Sequence, residues 1–214
     1  MKILIISLPR TGSTVMVDLL SDKLNLMGYN EPLRSSRSKF EHEEFFKTLK
    51  NTNNIVVKDI IDYRPHTISI EEYNKWVVGY CEMFDKVVFL SRRNEKDHIE
   101  SYINLLFQNQ KYNENNNITH YPWNVRYMYE DIPTDFIDNS LKSDEFKDFM
   151  EQRQRIIDLS KELNKELIWY EDIFLNENKK EYVLRVFPEL KGIDFMDYLN
   201  TSNKLRVSRE KSII

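Results

Sequence analysis

The sequence ILIISLPRTGST at residues 3–14 decides how the chain is expected to fold. Its apolar run from Ile3 to Ile6 is short and is followed by turn residues, which is typical of a strand buried inside a sheet. The turn Pro-Arg-Thr-Gly-Ser-Thr follows, and a helical pattern begins at about Val15. The stretch therefore predicts a strand, a tight turn and a helix, in that order.

The turn has the chemistry of an anion site. The first N–H groups of a helix lack partners within it, and the helix dipole favours negative charge there. Gly12 lets the backbone approach a ligand closely, and Arg10 adds a fixed positive charge. Ser13 and Thr14 add hydroxyl donors. The turn is suited to phosphate or sulfate, although an ordinary strand-to-helix turn also tolerates Gly-Ser-Thr. The Gly-x4-Gly-Lys-Ser/Thr spacing of the nucleotide P-loop is absent.

Composition limits the classes of protein that the chain can represent. Its 214 residues fit one domain over residues 1–214, and 41% of them are hydrophobic. The net charge of −4 argues against general nucleic-acid binding. The single cysteine, Cys81, rules out an internal disulfide framework and suits a reducing compartment. The apolar stretches are too short for a signal peptide or a membrane span, so we expect a soluble cytoplasmic protein without a nucleic-acid or membrane partner.

Short runs of β-branched and aromatic residues recur along the chain, each followed by polar residues and then by helical periodicity. They are Ile3–Ile6, Ile55–Val57, Val87–Leu90 and Leu167–Tyr170. This alternation predicts an α/β fold with a central parallel sheet flanked by helices. The apolar face of the first helix reaches Met27, and Gly28 is the expected stop.

Two polar segments show no clear apolar period. The stretch QNQKYNENNN at residues 108–117 predicts a long solvated loop, and residues 33–54 are also polar and mixed. Residues 33–54 and 108–123 are therefore expected to include substrate-binding loops.

A second basic cluster follows the third predicted strand. Arg93 lies at the end of that strand, and Ser101 lies two turns into the next helix. In a doubly wound sheet, ligands bind at the carboxyl ends of the strands, so Arg93 and the turn around Arg10 can share one cleft. Arginine binds phosphate oxygens in a bidentate manner, and a nearby hydroxyl adds a donor. The alternative is a solvated arginine pair that is balanced by neighbouring carboxylates.

Four short segments, taken in chain order, resemble sulfotransferases that use 3′-phosphoadenosine-5′-phosphosulfate (PAPS). They are PRTGST at residues 9–14, Lys58-Asp59, the pair Arg93 and Ser101, and YEDI at residues 170–173. In that family the corresponding segments are the 5′-phosphosulfate loop, the end of the second strand, the 3′-phosphate site and a Tyr-Glu-Asp-Leu segment. Together they cover most of the chain.

The resemblance implies a P-loop-like three-layer fold and transfer of a sulfuryl group from PAPS to an acceptor hydroxyl by in-line displacement. The product would be adenosine 3′,5′-bisphosphate, and no metal is required. The 5′-phosphosulfate would be held by Arg10, Thr11, Gly12, Ser13 and Thr14. Arg93 and Ser101 would hold the 3′-phosphate, and Tyr170 would lie near the adenosine. The acceptor would be a small-molecule or peptide hydroxyl.

The resemblance also implies catalytic roles. Cytosolic members of the family use the histidine of a Lys-Thr-His step, but here Asp59 follows Lys58. The trehalose-type and tyrosylprotein sulfotransferases are closer in pattern, because they resemble this chain around Glu31-Pro32. Glu31 would then be the general base. Arg10 and Lys58 would stabilise the bridging oxygen as it leaves.

Several alternatives stay open. Asp59, His66 and His120 are competing candidates for the base. The basic residues of segment 204–209 would either fold over the nucleotide or form a mobile tail. The chain could instead be another P-loop-like transferase, such as a small-molecule kinase, or a nucleotide-binding protein without catalytic activity.

Overall fold

The structure is a computed structural model that describes residues 1–33, 38–61, 70–116 and 131–200. Its central sheet has five strands in the order β2-β3-β1-β4-β5, and every pairing is parallel. The strands are β1 Lys2–Ser7, β2 Met27–Asn30, β3 Ile55–Ile60, β4 Lys86–Ser91 and β5 Glu166–Trp169. The expected α/β fold, a central parallel sheet flanked by helices, is confirmed.

Eight α-helices connect and follow the strands in the described residues. They are α1 Ser13–Leu24, α2 Lys39–Asn51, α3 Ile70–Cys81, α4 Glu95–Asn116, α5 Thr134–Lys142, α6 Asp144–Glu162, α7 Tyr170–Phe174 and α8 Lys179–Val186. A 3-10 turn at Pro188–Leu190 follows α8.

The chain divides into two compact units. The first comprises Met1–Arg93 with Gln152–Ile214 and contains the whole sheet, and the second comprises Asn94–Glu151. The second unit has a small apolar cluster of its own around Ile103, Phe107 and Ile132. The single domain expected over residues 1–214 stays a prediction.

The central strands are buried almost along their whole length, which is why their sequences are continuous apolar runs. Every residue of β3 is buried, as are all residues of β1 and β4 after the first. Helices that cover both faces of a parallel sheet remove the polar alternation seen in half-exposed strands. Ile3 and Ile5 of β1 pack in one cluster with Phe174 of α7 and Leu20 of α1. The core therefore anchors α1 and α7 beside the carboxyl end of β1.

The sequence patterns do not predict the strand β2. The first helix ends at Leu24, where Asn25 takes the left-handed conformation at φ 51°, so the expected stop at Gly28 is wrong. Asparagine tolerates that conformation and ends helices as glycine does. Gly28 instead lies in β2, where an added Cβ would clash with the Ser21 hydroxyl. Most of β2 is exposed, so it has no apolar run to reveal it.

Both expected polar loops contain helix. Within residues 33–54, α2 begins with a capping box in which the Glu41 N–H donates to the Ser38 hydroxyl at 3.2 Å. The loop predicted over 108–117 is wrong up to Asn116, because α4 continues to that residue. Glutamine, lysine and glutamate have little intrinsic cost in a helix, so a missing apolar period does not end one.

Candidate functional site

The loop between β1 and α1 has a backbone that few sequences adopt. Arg10 and Gly12 both have positive φ, 69° and 79°. The Thr11 hydroxyl donates to the Leu8 carbonyl at 2.9 Å and braces the turn from inside. The hydroxyl of Ser13, at the first position of α1, accepts from the Ser7 hydroxyl at 2.9 Å. The sequence-predicted residues 10–14 therefore lie together at the carboxyl end of β1.

The start of α1 presents backbone donors. Met16 N–H makes the first bond of the helix, to the Gly12 carbonyl at 3.3 Å. In the part of the chain that the structure describes, the N–H groups of Ser13, Thr14 and Val15 donate to no backbone carbonyl. Such N–H groups, aligned with the positive end of the helix dipole, form the donor set that binds phosphate or sulfate oxygens.

Gly12 is required by packing as well as by its positive φ. A Cβ at this position would lie 2.5 Å from Cε2 of Phe174 and 3.2 Å from Cδ2 of Tyr170. The two aromatic rings belong to α7 and lie 4.9 Å apart between centroids. The loop is therefore pressed against α7, with no room for a side chain at residue 12.

Lys58 connects the β1–α1 loop to the predicted base. It lies near the end of β3 and is 5% exposed. Its ammonium is 3.4 Å from the Thr14 hydroxyl and contacts the Glu31 carboxylate directly. Glu31 follows β2 with φ 51°, and its N–H donates to the Lys58 carbonyl at 2.7 Å. The structure thus brings Thr14, Lys58 and Glu31 together, and the unpredicted strand β2 places the glutamate.

The positive charge of Lys58 also affects the pKa of a further carboxylate, Asp18. Partial burial raises the pKa of Asp18, and the positive charge of Lys58 opposes that shift. The ammonium of Lys58 therefore acts on the carboxylates of Glu31 and Asp18 as well as on the Thr14 hydroxyl, and it also acts on Asp59. No sequence argument named Asp18, because its only signal is a position one turn after Thr14 on α1.

Asp59 is buried and accepts a hydrogen bond from the Tyr80 hydroxyl at 2.5 Å. Burial raises the pKa of Asp59 to about 7, against the lowering effect of the Tyr80 hydrogen bond. The negative charge of Glu31 raises it further, and Lys58 opposes this. Asp59 lines an apolar pocket together with Leu33, Ile60, Trp76 and other residues of the first unit. The competing base is thus coupled electrostatically to the Glu31–Lys58 pair.

Arg93 is engaged by acidic residues of α7. Its guanidinium forms a bidentate pair with Asp172, at 3.2 and 2.8 Å, and its N–H donates to the Glu171 carboxylate at 2.9 Å. Its side chain is 57% exposed, so solvent can reach this ion pair. Ser101, its predicted partner, is a buried residue of α4 in the second unit. Their shared 3′-phosphate site stays a prediction.

The neighbouring Arg92 was not predicted as a site residue, yet it contacts the β1–α1 loop. Its Nε donates to the Arg10 carbonyl at 2.7 Å, and its guanidinium lies 4.2 Å from the centre of the Tyr170 ring. Tyr170 is the first residue of α7 rather than the end of a strand, and it is 8% exposed. Tyr170 therefore packs against the loop, and its expected place beside the adenosine stays a prediction.

Some expectations fall outside the described residues. His66, His120 and segment 204–209 all belong to that part of the chain. Among the described residues, no group of three His, Cys, Asp or Glu side chains is arranged to hold a metal ion. No helix in the same residues has the length and hydropathy needed to cross a membrane.

No family model matches the chain, and no curated protein matches it. Among solved structures, the chain is similar to the YorR protein from Bacillus subtilis in complex with phosphorylated GDP, at 13% sequence identity and a TM-score of 0.43, over 88% of this chain and 97% of that chain. It is also similar to shikimate kinase from Aquifex aeolicus, at 17% identity and a TM-score of 0.41, over 90% of this chain and 97% of that chain. Likeness at this level carries no argument about ligand or reaction.

Proposed function

We propose that the chain transfers a sulfuryl group from PAPS to an acceptor hydroxyl. The observation that carries the proposal is the position of Lys58, whose ammonium lies between the Thr14 hydroxyl and the Glu31 carboxylate. Thr14 belongs to the anion-binding start of α1, and Glu31 is the only carboxylate that contacts Lys58 directly in the described residues. The Lys58 ammonium therefore links Thr14, which would bind the sulfuryl donor, to Glu31, which would accept the proton.

The residues at the start of α1 fit the phosphosulfate end of the donor. The N–H groups of Ser13, Thr14 and Val15 would bind its oxygens, because they donate to no backbone carbonyl within the described chain. The missing side chain at Gly12 lets the loop pack against Phe174, where an added Cβ would clash, and so keeps the loop in the shape that presents these N–H groups. Arg10 would add a positive charge on the same loop.

PAPS would supply an activated sulfuryl group, whose sulfur the acceptor oxygen would attack in line with the bond to the phosphate oxygen. Glu31 would take the proton of the acceptor hydroxyl as the new oxygen–sulfur bond forms. When the old sulfur–oxygen bond breaks, its electron pair stays on the phosphate oxygen. Lys58 and Arg10 would stabilise the negative charge that develops there. Most of the rate enhancement would come from positioning and charge neutralisation, as in phosphoryl transfer.

Phosphoryl transfer is the second candidate. A lysine ammonium 3.4 Å from a threonine hydroxyl at the start of a helix would also suit the terminal phosphate of ATP. The two candidates differ in the nucleotide that they require. A sulfotransferase binds adenosine 3′,5′-bisphosphate without magnesium, whereas a kinase binds ATP with magnesium.

Isothermal titration calorimetry with the full chain separates these candidates. We expect adenosine 3′,5′-bisphosphate to bind at least tenfold more tightly than ATP, with an affinity that magnesium does not change. Equal binding of ATP, or binding that depends on magnesium, would contradict the proposal and favour the kinase.

A transfer assay then tests for turnover. The chain is incubated with PAPS labelled in the sulfuryl group and an extract of small molecules and peptides, and the labelled product is identified. We expect label on an acceptor hydroxyl. Tight binding of adenosine 3′,5′-bisphosphate with no labelled product would indicate a nucleotide-binding protein without this activity.

A further inference from the structure

Arg92 lies partly buried against the loop that would bind the anion. Its Nε donates to the Arg10 carbonyl at 2.7 Å while its guanidinium covers the Tyr170 ring at 4.2 Å. A planar guanidinium can stack on a ring and donate from its edge at the same time, whereas a lysine ammonium is a single point charge. The contact therefore uses the shape of arginine as well as its charge.

Arg92 holds the carbonyl oxygen of Arg10, a residue whose backbone conformation determines the shape of the loop. Arg10 has φ 69°, a conformation that a non-glycine residue keeps only where its surroundings impose it. The Arg10 carbonyl and the Thr11 N–H belong to one planar peptide unit. The Nε contact therefore fixes the direction of both groups, and with them the path of the chain into α1.

The second left-handed residue of the loop is held from the same side. Gly12 lies under the rings of Tyr170 and Phe174, where an added Cβ would lie 2.5 Å from Phe174. Tyr170 is also the ring on which Arg92 stacks. One cluster, made of Arg92, Tyr170 and Phe174, therefore holds both residues with positive φ in the loop, and we call it the loop clamp.

The backbone of Arg92 is itself fixed. The buried Arg153 donates through Nη2 to the Arg92 carbonyl at 3.1 Å and to the Arg93 carbonyl at 3.4 Å. The next N–H, that of Arg93, donates to the Glu171 carboxylate of α7. The clamp is thus built on a backbone segment that is anchored to α6 and α7.

We propose that Arg92 is a positioning residue for the anion site and holds the β1–α1 loop in its binding shape before any ligand arrives. The inference rests on the proposed function only for the identity of the nucleotide. Preorganisation raises affinity because the ordering cost is met on folding rather than on binding. The geometry of Arg92, more than its charge, therefore sets the affinity of the loop.

Two substitutions separate geometry from charge. Arg92→Lys keeps the charge but loses the stacked, edge-donating plane, and Arg92→Gln loses both. The matched control is Arg185→Gln, because Arg185 also stacks on a tyrosine, Tyr182 at 4.6 Å, and lies on α8 with a side chain that is 66% exposed. The loop clamp does not include it.

Calorimetry with adenosine 3′,5′-bisphosphate gives the first readout. We expect Arg92→Lys and Arg92→Gln to weaken binding by a similar factor of ten or more, and Arg185→Gln to change it less than twofold. The dependence of affinity on salt should be the same for Arg92→Lys and the unmodified chain. Affinity near that of the unmodified chain in Arg92→Lys, with a loss and a weaker salt dependence in Arg92→Gln, would overturn the proposal in favour of a direct charge contact.

The second readout needs no ligand. Backbone ¹⁵N order parameters of Thr11 to Thr14 should fall in Arg92→Lys, while those of β1 and β3 stay unchanged, which also shows that the variant is folded. Unchanged order parameters in the loop would overturn the inference. If the unmodified chain fails to bind adenosine 3′,5′-bisphosphate, the proposed function fails, and the order parameters still decide whether Arg92 holds the loop.

Discussion

Lys58 and Glu31 are joined twice, since the Lys58 ammonium contacts the Glu31 carboxylate and the Glu31 N–H donates to the Lys58 carbonyl at 2.7 Å. The backbone contact continues the β2–β3 pairing one residue past its last pair, in which Asn30 lies opposite Lys58. The side chains of the two residues are mostly buried, at 7% and 19% exposure. The sheet therefore presents the pair beside Thr14 with little freedom.

Glu31→Gln tests the proton-accepting role. Glutamine keeps the size of the side chain but cannot take a proton, so turnover should fall by about 10²–10⁴-fold, the usual contribution of a general base. The affinity for adenosine 3′,5′-bisphosphate should change little. Steady-state rates with labelled PAPS, together with calorimetry, measure both quantities. Lost affinity with intact turnover would contradict the role of Glu31.

Arg10→Ala tests the charge on the loop. Removing a cation that neutralises developing charge should lower turnover by about 10²–10³-fold. Because Arg10 has φ 69°, alanine keeps the backbone strain that arginine already carries, and Arg10→Gly is the companion variant that removes the charge and relieves that strain. Both variants should lose turnover alike in the labelled-PAPS assay. Activity retained in Arg10→Gly would show that the charge is not needed.

The central strands could be predicted from the sequence because burial on both faces gives continuous apolar runs, as in residues 55–57. The strand β2 could not, because it is short and mostly exposed and contains Gly28. Glu31 was named only through the resemblance around Glu31-Pro32, and its role as general base stays a prediction. The resemblance pointed to Arg93 and not to Arg92. The hydrogen-bond partner of Arg92 is the Arg10 carbonyl, 82 residues away in the sequence. A contact of that kind leaves no local pattern.

Gly12→Ala tests the packing of the loop. The new Cβ would meet the buried ring of Phe174 and would impose a left-handed conformation on alanine. The two effects together should lower the free energy of unfolding by about 2–4 kcal/mol and should weaken nucleotide binding.

Gly79→Ala is the matched control for that change. Gly79 lies within α3, and no atom lies within 4 Å of its added Cβ. Alanine should therefore raise the free energy of unfolding by about 0.5–1 kcal/mol without altering nucleotide binding. Urea denaturation and calorimetry measure both variants. Equal stability of the two variants would show that Phe174 yields to the new methyl group.

Asp59→Asn tests the buried carboxyl. Burial raises the pKa of Asp59 to about 7 in the folded chain, whereas the pKa of an aspartate in an unfolded chain is about 3.9. Between these values the folded state binds the extra proton, so the free energy of unfolding should fall as pH rises, by up to ~1.4 kcal/mol per pH unit. Asp59→Asn should remove this slope. Urea denaturation of both proteins from pH 4 to pH 8 measures it, and equal slopes would contradict the assignment.

Tyr80→Phe provides a second test that Asp59 is the group whose titration changes the stability. The Tyr80 hydroxyl donates to Asp59 at 2.5 Å, and this hydrogen bond lowers the pKa of the carboxyl. Without it the pKa of Asp59 should rise further above its ordinary value, so the loss of stability should continue to higher pH than in the unmodified chain. A double variant with Asp59→Asn should show no such extension, because the titrating group is gone. An extension that persists in the double variant would assign the titration to another residue.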